Sequence, residues 1–206
     1  MKSLKTFLLA VLAGLSISIG GIVFLSCESK VAGAIFFTIG LFTVCTFGLN
    51  LFTGKVCYAL DNKASYILDL ILIWCGNFTG CILTGLAMRL TRVAPTLIET
   101  AQAVCDKKLS GSPLSTIILG LFCNICIYIA VDGYKNNPHE IGKYLALLFG
   151  VTVFILCGFE HCVANMFYFS MAGIFTGNMI VFLLLNTLGN IIGGLLIPCM
   201  FKIIKK

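Results

Sequence analysis

The sequence predicts an all-α polytopic membrane protein of six transmembrane helices, a 3+3 inverted repeat in which helices 2 and 5 are broken. Three observations predict it. Of 206 residues, 59% are apolar and only 11% are charged, where a soluble domain carries roughly 25% charged residues; the mean hydropathy is +1.06. The few charges are separated by long uncharged runs, and motifs of the first half recur in order in the second. A soluble enzyme with its own polar coat and a disordered chain are both excluded.

The uncharged runs cover residues 6–27, 31–54, 70–88, 109–131, 144–159 and 162–201. A membrane helix needs about 20 mainly apolar residues, so each of the first four runs supplies one span. The last two read together as one helix interrupted near Glu160-His161 and a final helix from about Asn178. Six spans consume roughly 120 residues, which leaves short loops and a single transmembrane domain over 1–206. The first run resembles a secretory signal behind Lys2 and Lys5, but its 22 uncharged residues exceed an h-region of about 7–15. Ser26-Cys27 suggests a lipoprotein cleavage site only weakly, because the chain downstream is also membrane.

Six spans put both termini on one side. With the N-terminus inside, Lys2, Lys5, Lys55, Lys63, Lys135, Lys143, Lys202, Lys205 and Lys206 fall in inner segments, against Lys30, Arg89, Arg92, Lys107 and Lys108 outside. That bias favours inner termini by the positive-inside rule. The net charge of +6 is therefore a topology signal, and no nucleic-acid partner is expected. The eleven cysteines, Cys123-x-x-Cys126 included, read as small packing residues within spans. Neither a metal, a disulfide nor a cofactor is expected.

Gly76-Asn77-Phe78-Thr79-Gly80 in span three recurs as Gly189-Asn190-Ile191-Ile192-Gly193 in span six, offset by 113. Ala13-Gly14-Leu15 matches Leu119-Gly120-Leu121 at 106, and Leu51-Phe52-Thr53 falls opposite Phe159-Glu160-His161 at 108. These offsets divide the chain into copies over about 1–92 and 112–206. Three helices per copy is an odd number, so the second copy enters from the opposite face. Inverted repeats of this kind hold their site near the midplane, where broken helices meet.

Ionisable residues inside a membrane mark functional sites. Asp69 lies about one turn into span three, near enough to the surface to stay hydrated. Glu160 and His161 sit mid-span after Cys157-Gly158, where a membrane helix can break. In span two, the stretch from Thr46 to Gly54 carries two glycines, Asn50 and Thr53. Unwound backbone at that depth is tolerated only in a protein interior or along a cavity. Two such breaks facing each other make a pore.

At these residues the sequence resembles the formate/nitrite transporter family of formate, nitrite and hydrosulfide channels. The resemblance rests on Gly158-Phe159-Glu160-His161 with Ala164-Asn165-Met166, Leu51-Phe52-Thr53-Gly54, Leu121-Phe122-Cys123-Asn124 and Gly189-Asn190-Ile191-Ile192-Gly193-Gly194. It implies an aquaporin-like six-span protomer with its own pore, assembled as a homopentamer in the cytoplasmic membrane of a bacterium, and no enzyme activity. It also implies roles. His161 matches the pore histidine and Thr53 the threonine of the broken second helix. Lys108 matches the lysine between spans three and four, with Asn124 and Glu160 as polar residues around the histidine. The apolar constrictions map to Leu51, Phe52 and Ile127, with Phe37, Leu41 and Phe154. Two departures stand out. The chain begins almost directly at span one, without the N-terminal cytoplasmic helix many members carry, so gating by that segment is not expected. Span six reads Phe182-Leu183-Leu184-Leu185, which leaves Lys108 without an evident polar partner.

The expected function is passage of a small monovalent weak-acid anion, formate or nitrite favoured, through the lipid bilayer. Hydrosulfide and short carboxylates such as acetate or lactate are the alternatives. Lys108 would attract the anion, Thr53 and Asn124 would hydrogen-bond it, and His161 or its bound water would supply a proton. Histidine suits that task, with a reference pKa of about 6.5. An intramembrane enzyme would need a nucleophile–base pair, and adjacent Glu160 and His161 side chains on a regular helix diverge by about 100°. A structural scaffold would need no histidine at a break, and a water or glycerol channel would carry paired Asn-Pro-Ala half-helices, which are absent.

Overall fold

The computed structural model describes residues 2–204; Lys205 and Lys206, counted above as inner charges, lie outside the described residues. The chain runs α1 (Lys2–Ser26), α2 (Lys30–Thr46), α3 (Phe52–Val56), a 3-10 turn (Ala59–Asp61), α4 (Tyr66–Met88), α5 (Ala94–Leu109), α6 (Pro113–Asn136), α7 (Glu140–Leu156), α8 (Cys162–Ala172) and α9 (Gly177–Ile204). Four of these, α1, α4, α6 and α9, are long and apolar enough to cross a membrane. The other apolar helices come in interrupted pairs: α2 with α3, and α7 with α8. At 17 residues, α2 and α7 are each about 25 Å long, short of a full span.

The interruptions lie where the glycines predict them. Leu49 N–H donates to the Val44 carbonyl and Phe159 N–H to that of Phe154, each at 2.9 Å, while Gly48 and Gly158 take φ of 64° and 70°. Both are Schellman closures, which need a left-handed residue just past the helix end. No atom lies within 4 Å of where a Cβ would stand at either glycine, so the requirement is conformational and not steric. Thr53 and Gly54, read from sequence as part of an unwound stretch, are helical: the first break is confined to 47–51, and α3 resumes at Phe52.

Close approach matters elsewhere. A Cβ on Gly80 would meet the Val11 carbonyl of α1, and one on Gly193 the Leu121 carbonyl of α6. The two glycine pairs thus let α4 lie against α1 and α9 against α6, the short approach that small residues permit in membranes. Gly193→Ala must push two helix backbones apart, at a cost of about 1–3 kcal/mol. A fall in the thermal unfolding midpoint of the detergent-solubilised protein is the expected readout.

The stretch between spans three and four is not a loop. It forms α5, whose Ala94, Leu97, Ala101 and Cys105 are buried at spacings of three and four, the stripe of an amphipathic helix. α5 packs on α8. Lys107 and Lys108 lie in its last turn, where a cation is favoured by the helix dipole. α8 is the innermost element, with all eleven residues buried.

Candidate functional site

Two asparagines build the frame of the site. Asn77 Nδ2 donates to the Ala10 and Asn50 carbonyls at 2.8 and 2.9 Å, and its Oδ1 accepts Phe52 N–H at 2.8 Å. Asn190 Nδ2 donates to the Gly120 and Glu160 carbonyls at 2.7 and 2.8 Å, and its Oδ1 accepts Cys162 N–H at 2.9 Å. Each amide satisfies two backbone groups at its break, the Asn50 carbonyl and Phe52 N–H for Asn77 and the Glu160 carbonyl and Cys162 N–H for Asn190, as membrane depth demands, and ties the break to a carbonyl inside α1 or α6. Asn50 N–H also donates to Leu9 O at 3.3 Å, and Glu160 N–H to Leu119 O at 3.2 Å.

These bonds correct the register expected from sequence. The 113-residue offset between Asn77 and Asn190 stands, but both breaks and their α1 and α6 partners correspond at 110. Gly48 matches Gly158, Asn50 matches Glu160, and Ala10 matches Gly120. The position equivalent to His161 is therefore Leu51, and Thr53 corresponds to Val163. The 106 and 108 offsets came from look-alike triplets displaced by four and two residues.

His161 caps α8: its Nδ1 accepts Ala164 N–H at 3.1 Å, and its Nε2 lies 2.9 Å from Thr53 Oγ1. An Nδ1 that accepts has no hydrogen, so the neutral ring carries it on Nε2 and donates it to Thr53. A protonated ring would lose the cap and sit at the positive end of a helix dipole. Thr53 and His161 are 0% and 2% exposed. The Phe154 ring stacks on the imidazole at a centroid distance of 5.6 Å and meets Phe37 edge-on at 6.0 Å.

Lys108 does have a polar partner. Its ammonium lies 2.6 Å from Glu160 Oε2, which also accepts Asn165 Nδ2 at 2.8 Å. Asn165 donates to Asn186 Oδ1 at 2.8 Å, and Asn186 Nδ2 donates to the Glu160 carbonyl at 2.6 Å. The Lys108 ammonium also sits 5.8 Å from the Tyr168 ring centroid. The cation is thus neutralised by the residue beside the histidine. The span-six partner sought at Phe182-Leu183-Leu184-Leu185 is instead supplied through Asn186, one position later.

Asn124 is fully buried and holds backbone: Nδ2 donates to Thr53 O at 3.1 Å and Asn190 O at 2.7 Å. It lines neither of two lysine-bearing cavities; its amide ties the helix that carries Thr53 to α9. One cavity, of about 480 Å³, is lined by Lys30, Lys107, Lys108, Phe154, Glu160 and His161 among others. The other, of about 770 Å³, is lined among others by Leu51, Gly54, Lys55, Tyr58, Lys135 and Lys143. α2 starts at the first with Lys30 and ends at the second with Cys45; α7 starts at the second with Glu140 and ends at the first with Ile155. The cavities therefore sit at opposite ends of two oppositely directed helices. Phe37, Leu41 and Ile127 are buried at 1% exposure, Leu51 faces one cavity and Phe154 the other. Phe52 departs from expectation: it lines a separate, wholly apolar cavity of about 490 Å³ with Trp74 and Leu184.

Sequence reasoning passed over Asn77, Asn165, Asn186 and Asn190 as functional residues, and over Lys55. The signal for the asparagines was available: an amide in an apolar span must find partners.

Residues 1–204 match the formate/nitrite transporter family model. The chain is 27% identical over 192 residues to the formate channel FocA of Escherichia coli, a match covering 82% of this chain and 66% of that one. It is 32% identical over 181 residues to YrhG, an uncharacterized transporter of Bacillus subtilis, covering 81% and 68%. The chain thus spans about two thirds of the length of these relatives. It superposes on a pentameric formate channel with formate bound at a TM-score of 0.85 and 28% identity, covering 98% of this chain and 97% of that one.

Proposed function

The chain belongs to the formate/nitrite transporter family, and from that premise we propose that it is a channel for a small monovalent weak-acid anion, formate or nitrite first. It is an integral membrane protein. In this reading α2–α3 and α7–α8 each complete one span, giving six spans as an inverted 3+3 repeat, five protomers each with its own pore, and both termini inside. The observation that carries it is the Thr53–His161 pair between two lysine-bearing cavities.

A bare anion among Phe37, Leu41, Leu51 and Phe154 is heavily penalised, so the substrate crosses as the neutral acid. Since His161 Nδ1 accepts the cap and Nε2–H faces Thr53, the Thr53 hydroxyl is left free to donate to the acid in transit. The proton that neutralises the anion is taken up from the medium through cavity water, so anion and proton enter together and both are released on the far side; His161 fixes the donor geometry. Of the two sources expected, His161 or its bound water, this reading takes the water route.

Proteoliposomes given a panel of formate, nitrite, hydrosulfide, acetate and lactate test the reading: uptake of none above empty vesicles overturns it. Uptake should rise as external pH falls, because more anion is protonated at the pore mouth. His161→Asn keeps a good N-cap residue but withdraws the ring from Thr53. It should slow uptake about tenfold, the worth of one hydrogen bond, with little change in the unfolding midpoint. Wild-type uptake by this variant would remove His161 from the mechanism.

A further inference from the structure

The two cavities treat their lysines differently. In the smaller one, the deep ammonium of Lys108 is neutralised by Glu160. In the larger one, Lys143 pairs with Glu140, but half-buried Lys55 has no carboxylate within salt-bridge reach among the described residues. Lys55 stands two residues beyond Thr53 on α3, and Tyr66 Oη donates to its backbone carbonyl at 3.4 Å. Lys135 brings a second cation, lying 4.7 Å from the Tyr58 ring centroid. The nearby acid, Asp132, forms a salt bridge with neither lysine: it accepts the Tyr58 hydroxyl at 3.2 Å and the Asn136 amide at 2.8 Å. The result is a roomy concave site with aromatic walls and an uncompensated positive charge next to the transit pair.

We propose that Lys55, supported by Lys135 against Tyr58, forms a second anion-binding station on the far side of Thr53–His161 from Lys108, and that it makes the apparent affinity for the anion higher from that side. The station takes the same class of ligand as the pore, a small monovalent anion, and rests on the channel reading above. Lys55 lies at the end of a cavity whose other cations are paired or stacked, so an anion there meets a free ammonium before reaching Thr53. From the Lys108 side the anion meets a cation already held by a carboxylate.

The two sides are separable in intact cells and inverted membrane vesicles of one expressing strain, using initial rates of labelled formate uptake. Wild-type half-saturation should be lower in inverted vesicles, where the Lys55 cavity faces the medium. Lys55→Gln should raise it about tenfold there and leave intact cells within about twofold, while Lys55→Arg stays near wild type. Lys135→Gln should shift the same side by about threefold, which keeps the test intact if Lys55→Gln assembles poorly. Equal shifts on both sides, or none in either variant, overturn the station and leave the channel reading standing. Absence of wild-type formate uptake in both preparations overturns the channel reading for formate, and the station with it.

Discussion

Lys108→Ala should destabilise the protein far more than it alters anion affinity. The family resemblance casts this lysine as a receptor for the anion, but its ammonium lies 2.6 Å from a Glu160 carboxylate that is itself 6% exposed. Removing the cation leaves that charge with only the Asn165 amide. Breaking one side of a buried pair costs about 3–5 kcal/mol. The expected result is a large drop in the unfolding midpoint and in yield of assembled protein. Adding Glu160→Gln removes the orphaned charge, keeps an acceptor for Asn165, and should recover most of the loss. Glu160→Gln alone should cost less, because the Lys108 side chain is the more exposed of the two, 14% against 8%, and its flexible stem can carry the ammonium to cavity water. The double-mutant cycle on unfolding midpoints isolates the coupling between the two side chains. A stable Lys108→Ala protein with weakened formate uptake would return Lys108 to the receptor role.

The second large effect is expected at the asparagine clamps. Asn190→Leu strips hydrogen bonds from the Cys162 N–H and from the Gly120 and Glu160 carbonyls; only the last keeps another side-chain partner, Asn186. A buried backbone group left unmade costs about 1–3 kcal/mol; the Cys162 N–H is left so, while the Gly120 carbonyl lies inside α6 and the Glu160 carbonyl keeps Asn186, so the variant should lose about 1–3 kcal/mol and hold the second break poorly. Asn77→Leu strips the same three kinds of bond at the first break and should lose a comparable amount. Unfolding midpoints in detergent give the comparison, and near-wild-type values for both would mean that the breaks are held by packing alone. Asn190→Asp should not rescue, since it keeps an acceptor for Cys162 but loses both donors.

The apolar spans were legible because charge is so scarce that each cluster of it marks an end. The break glycines were legible too, since a left-handed residue is what lets a membrane helix stop mid-way. What escaped was set by tertiary contacts. α5 was hidden because its buried stripe is only Ala94, Leu97, Ala101 and Cys105 among polar neighbours, so a search for long uncharged runs passes over it. The repeat register slipped because a local triplet resembled another, whereas the true equivalence is defined by which carbonyl each asparagine holds. Thr53 and His161 were each singled out from sequence; that they meet, with Nε2 2.9 Å from Oγ1, is a tertiary fact that no spacing announces. Phe52 could not be aimed from sequence: one step along α3 separates the side facing His161 from the side facing Trp74. The partner of Lys108 was invisible for a similar reason, as 52 residues separate it from Glu160.

The paired clamps also bear on how such a pore can be retuned. Both asparagines grip main-chain atoms, so the frame is indifferent to which side chain crowns each turn. Leu51 and His161 occupy matching crowns of a duplicated scaffold, one greasy and one polar. The polar crown meets Thr53 Oγ1, whereas the apolar one only lines a cavity. Selectivity can therefore drift, or be engineered, by exchanging one crown without rebuilding the architecture that carries it.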